Sequence, residues 1–121
     1  MSFNIAKKTR VVTYSIECQT EDQAETLYTC PANSRGMMNL LFLSNIGGNT
    51  DVTVRWVRES GTQDIHILGG KNMTTGDYIK FDGSYIVFEP GDYMEVTPSG
   101  NASPHIDVLA TVEEIFIPVG G

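Results

Sequence analysis

The sequence predicts an all-β protein: an antiparallel β-sandwich, jelly-roll or immunoglobulin-like, with about eight or nine strands. Three observations carry this expectation. Apolar residues recur at every second position along almost every segment, as a half-buried strand requires. The segments are short and separated by clusters of Gly, Pro, Asn and Asp, the residues that turns select. No segment carries a convincing helical pattern.

Strands are expected from Arg10 to Glu17 and from Glu25 to Cys30. The next segment, Met37-Met38-Asn39-Leu40-Leu41-Phe42-Leu43, is apolar on both faces. It suits either a central strand covered on each side or one whose outer face meets a partner. Asn45-Ile46-Gly47-Gly48-Asn49-Thr50 reads as a tight turn that pairs this strand directly with the next. From Asp51 to Arg58, Val52, Val54 and Trp56 share one face and Thr53, Arg55 and Val57 the other, with Trp56 expected to anchor the core. A further strand is expected from Thr62 to Leu68.

Gly69-Gly70-Lys71-Asn72-Met73-Thr74-Thr75-Gly76 lacks the glycine spacing and Gly-Lys-Ser/Thr ending of a phosphate loop and reads as a connection between strands. Asp82-Gly83, between Tyr78–Phe81 and Ser84–Phe88, predicts a two-residue type I′ hairpin. Glu89-Pro90-Gly91-Asp92 then reverses the chain into Tyr93–Thr97. The last strand runs from His105 to Ile115, with Ile106, Val108, Ala110 and Val112 on one side. Its Glu113-Glu114 step breaks the alternation, which suggests a bulge or a strand end. The expected organisation is an N-terminal arm (1–9), one sandwich domain (10–117) and a C-terminal tail (118–121).

A chain of 121 residues with 40% hydrophobic and 19% charged residues has the size and composition of one folded core. No apolar run approaches the roughly 20 residues that span a bilayer, and the N-terminus lacks a signal-peptide pattern. Synthesis in a cytosol and no membrane partner are therefore expected. In a reducing compartment Cys18 and Cys30 are expected as packed thiols, not a disulfide. The net charge of −7 falls entirely on Phe81–Gly121, which has seven acidic residues and no Lys or Arg. Nucleic acid, which needs clustered positive charge, is not an expected partner. Lys7, Lys8 and Arg10 form the one basic cluster, either a solvated tail or an arm that docks on an acidic neighbour.

No catalytic residues, cofactor-binding residues or metal ligands are expected. His66 and His105 are the only histidines, and neither has ligand spacing. Asp77, Asp82 and Asp92 fall at expected turns, where aspartate bonds its own backbone. Glu113 and Glu114, adjacent on a strand, point to opposite faces and cannot share a substrate. No nucleophile elbow is present. An enzyme is not expected.

Thr26-Leu27-Tyr28-Thr29-Cys30-Pro31-Ala32-Asn33-Ser34-Arg35-Gly36 leads into an apolar strand ending Leu43-Ser44-Asn45, and Phe88-Glu89-Pro90-Gly91-Asp92 precedes Val96-Thr97. This order, over roughly residues 24–115, resembles small β-sandwich structural proteins of tailed bacteriophages. Cys30 before the proline and the Asn33-Ser34-Arg35 turn depart from that pattern. The resemblance implies a non-enzymatic virion protein, foremost a capsid decoration or cement protein that stabilises the head by multivalent contacts. A neck, tail or fibre-adaptor component is the alternative. Implied partners are other virion proteins (the major capsid protein, or neck and tail proteins) and further copies in a homo-oligomer. Lys7, Lys8, Arg10, Met37 and Met38 are the expected protein contacts. A carbohydrate-binding module for host recognition, with Tyr78, Tyr85 and Tyr93 as stacking residues, is the reading from a different class.

Overall fold

Among the described residues eight strands form: β1 (Thr9–Cys18), β2 (Glu25–Thr29), β3 (Ser34–Asn45), β4 (Thr50–Val57), β5 (Asp64–Met73), β6 (Tyr78–Phe88), β7 (Tyr93–Ser99) and β8 (Ile106–Phe116). The computed structural model describes residues 8–59 and 63–117. One sheet has the order β1-β8-β3-β6 and the other β2-β7-β4-β5, all pairs antiparallel. Only β4 and β5 are consecutive strands paired within one sheet. Every other connection crosses between the sheets, which makes the sandwich a jelly roll rather than immunoglobulin-like.

The core lies between the sheets. Met38, Leu41, Leu43, Phe88, Ile106, Val108, Ala110 and Val112 of the first sheet face Leu27, Tyr28, Val52, Val54, Met73, Met94 and Val96 of the second, all buried. Strand β3 explains its own two-faced sequence. Against β8, Met38 pairs with Val112 and Leu40 with Thr111, so Asn39 is an extra residue. The bulge exchanges parity, since a one-residue slip turns a strand over. Gly36 and Met38 therefore point inward before it, and Leu41, Leu43 and Asn45 after it.

Several expectations are corrected. Residues Asn45–Thr50 do not form a hairpin, because β3 and β4 belong to different sheets. The buried Asn45 side chain donates to the carbonyls of Gly48 (2.9 Å) and Met73 (2.8 Å) and accepts from the Gly47 amide (2.9 Å), tying the crossing to the end of β5. Likewise Asp82-Gly83 lies inside a continuous β6. Pairing runs from Met38–Ile86 to Leu40–Asp82, so Gly83, Ser84 and Tyr85 bulge opposite Asn39, with Gly83 at φ 83°. A bulge uses a glycine at positive φ as readily as a turn does.

Gly69–Met73 likewise belongs to β5, not to a connection. Gly70, at φ 66°, donates its amide to Thr53 Oγ1 at 3.0 Å where β5 bulges against β4. Trp56 packs against the edge of the core and is only partly buried, with the Arg58 guanidinium 5.2 Å above its ring. The expected strand start at Thr62 lies outside the described residues, as do most of the arm and the tail. Cys18 and Cys30 are buried free thiols, and burial pushes the Cys18 thiol up to about 12.

The Glu89–Asp92 turn forms as read, with Gly91 at φ 86°. The buried Asp92 carboxylate accepts from the amides of Glu89 (2.9 Å) and Glu59 (3.0 Å). Asp77 similarly accepts from the Thr74 amide and hydroxyl, both at 2.8 Å. Asp82 sits in β6, beside Lys80 at 3.4 Å, and not in a turn.

Candidate functional site

Two arrangements depart from a plain apolar sandwich, one inside it and one on the outer face of the first sheet. Inside, β8 keeps its alternation through Glu114, which continues the inward row of Ile106, Val108, Ala110 and Val112. The Glu113-Glu114 step is therefore neither a bulge nor a strand end. Glu114 is 3% exposed and is met by three donors: Arg10 Nε at 2.8 Å on Oε1, and the hydroxyls of Tyr28 (2.8 Å) and Tyr14 (3.0 Å) on Oε2.

Burial alone would raise the Glu114 pKa, but the three hydrogen bonds and the Arg10 charge outweigh it and hold the carboxyl below its ordinary value. Burial and donation to Glu114 push both phenols up. Gly36 makes this possible, since a Cβ there would stand 2.6 Å from the Tyr28 hydroxyl oxygen. Tyr14 and Phe88 complete an aromatic group around Tyr28, at centroid distances of 4.9 and 5.1 Å.

On the outer face, paired residues line up across the sheet. Glu17, Asp107, Ser44 and Tyr78 make one row; Ser15, Leu109, Phe42 and Lys80 the next; Val11, Glu113, Met37 and Val87 another. A groove runs over the first two rows, lined by Ser15, Glu17, Phe42, Ser44, Asp107 and Leu109. Tyr78 stacks on Phe42 at 5.7 Å. Strand β6, at the sheet edge, exposes Tyr78 (66%), Tyr85 (56%), Val87 (44%) and Phe81, and Val11 on the opposite edge is 65% exposed. At the end of the groove, donor atoms of Glu17, His105 and Asp107 lie within 4.8 Å of one another.

The residues expected as protein contacts separate. Lys7 lies outside the described residues, and Lys8 is exposed. Arg10 is 69% exposed yet committed to Glu114. Met37 lies on the outer face, half-buried, whereas Met38 is in the core and is withdrawn as a contact: the two are adjacent on a strand, so only one faces out. Tyr78 and Tyr85 share β6, but Tyr93 belongs to β7 in the other sheet, so the three tyrosines form no common platform.

Two groupings escape sequence reasoning. Glu114 is legible only once its alternation with Val112 is trusted over its charge. Glu17 carries no local signal for His105 and Asp107, because β1 and β8 come from opposite ends of the chain.

No protein-family model matches the chain, and no curated protein matches it. Solved structures do. A chain from the Bacillus endospore appendages, described as a family of disulfide-linked pili, is 13% identical with a TM-score of 0.58, over 98% of this chain and 96% of that one. A chain of infectious bursal disease virus, Gx strain, is 15% identical with a TM-score of 0.50, over 94% of this chain and 34% of that one. A chain from the capsid structure of the Helicobacter pylori bacteriophage KHP30 is 12% identical with a TM-score of 0.46, over 93% and 95%. The class defined is the antiparallel jelly roll; with the pilus chain and the bursal disease virus chain, at these identities, what is shared is the fold.

Proposed function

We propose that this chain is a non-enzymatic structural subunit of a multi-copy assembly, specifically a capsid decoration or cement protein of a tailed-phage virion. The carrying observation is the β6 edge, where Tyr78, Phe81, Tyr85 and Val87 stand exposed on a strand with one free side. An apolar, unpaired edge invites association unless a partner covers it. The half-buried Met37 adjoins Val87 across the β3–β6 ladder, so it belongs to the same contact surface. Lys8 and Arg10, at the start of β1, are the proposed basic contacts for an acidic neighbour.

The sequence resemblance over residues 24–115 supports the virion setting, and the jelly roll suits it without requiring it. A second reading, a filament, fibre or tail subunit, is favoured by the likeness to a pilus chain over the whole of both chains. Unlike a disulfide-linked subunit, this chain buries both Cys18 and Cys30, so any filament it forms is held by noncovalent contacts. The glycan-binding reading is weakened by the dispersal of its three tyrosines.

The test is to mix the purified chain with empty tailed-phage capsids. Retention on the shell with a raised capsid melting temperature is expected. Co-assembly only with portal or tail parts moves the protein to the neck or tail. Self-assembly into filaments without capsid binding overturns the virion reading in favour of the filament one.

A further inference from the structure

We propose that Glu17, His105 and Asp107 form a binding site for a zinc-like divalent cation at the end of the outer-face groove. His105 Nε2 lies 3.0 Å from Asp107 Oδ1, and the donor atoms of all three side chains lie within 4.8 Å of one another. A tetrahedral zinc site with bonds near 2.1 Å needs donors about 3.4 Å apart. Rotation of the exposed Glu17 side chain closes that difference.

An independent feature points to positive charge here. Glu17 and Asp107 are directly opposed partners in the β1–β8 ladder, and like charges in that position destabilise a sheet. No Lys or Arg among the described residues pairs with either carboxylate; Glu17 takes only the Gln19 amide, at 2.9 Å. A metal ion held by the three converging donors relieves that repulsion.

One imidazole with two carboxylates favours zinc or a similar first-row ion over magnesium or calcium, which prefer all-oxygen sets. Three protein ligands at a partly exposed site leave a fourth position for water or for an oxygen donor from another molecule. The proposal does not depend on the virion reading, since it concerns binding by the isolated chain.

Equilibrium dialysis of the full chain against zinc chloride, with excess magnesium present, measures it. One zinc per chain is expected, with affinity lowered at least about tenfold in Asp107→Asn and in His105→Ala, while His66→Ala binds as the parent does. Zinc should also raise the parent's melting temperature clearly more than that of Asp107→Asn. This second readout decides the matter should His105→Ala fold poorly. Absence of zinc binding by the parent overturns the proposal. So does undiminished binding by Asp107→Asn, which places the zinc elsewhere on the chain.

Discussion

Glu114 shows how a single ionised side chain is kept inside an apolar interface: each oxygen has a hydrogen-bond donor, and one donor carries the compensating charge. Removing the acceptor strands the buried Tyr28 hydroxyl and the part-buried Tyr14 hydroxyl. Glu114→Ala is expected to cost about 3 kcal/mol, read from the urea unfolding midpoint. The pH dependence follows from its lowered pKa. Folded Glu114 binds protons less readily than the unfolded residue, whose ordinary value is 4.5. Its contribution is therefore complete above pH 4.5 and is lost as pH falls through the folded value. Asp64, lowered by Arg55, and Asp77, lowered by Thr74, act in the same direction. The contribution of Glu114 is thus the difference between parent and Glu114→Gln, whose stability should fall less steeply in acid.

Gly36 belongs to the same group of residues. Gly36→Ala pushes a methyl group against the Tyr28 hydroxyl, with an expected loss of about 2 kcal/mol. If that contact is the cause, Tyr28→Phe in the same chain removes the clashing oxygen, and the double variant should lose measurably less than the sum of the singles. Additive losses would refute this account.

At the scale of elements, bulges and crossings decide what the strands become. Period two located seven of the eight strands and read the eighth, β6, as two, because the alternation follows from the backbone alone. It did not show that Asp82-Gly83 lies within β6, since a glycine at positive φ serves a hairpin and a bulge equally well. Nor did it show that Asn45–Thr50 leaves one sheet for the other, because turn residues report a change of direction and not the destination. The Asn45 side chain reports the destination through its bond to Met73 on β5. Asn45→Ala leaves the buried Met73 carbonyl and its turn partners unpaired, an expected loss of about 3 kcal/mol by chemical denaturation. A change under 1 kcal/mol, roughly the value of one hydrogen bond, would mean water replaces the side chain at the crossing.

For the whole molecule, one sheet exposes apolar side chains along its β6 edge, and the chain is acidic overall. A lysine on an edge strand is a common guard against pairing. Val87→Lys is therefore expected to abolish or strongly reduce self-association and shell binding while changing the isolated chain's stability by no more than about 0.5 kcal/mol. Sedimentation velocity and capsid retention provide the two readouts. Unchanged assembly would move the interface away from β6.

The sequence by itself determined the all-β class, seven of the eight strands in outline, the Glu89–Asp92 turn, Val52 and Val54 as inward residues of β4, and the inward row Ile106, Val108, Ala110 and Val112 of β8. Each depends on neighbours a few residues apart. Only the tertiary structure decided which sheet each strand joins, the reversal of β3 at Asn39, the inward place of Glu114 and the meeting of Glu17 with His105 and Asp107. Those outcomes depend on pairings between β1, β3, β6 and β8, which lie far apart along the chain, and local alternation carries no record of which partner a strand will find.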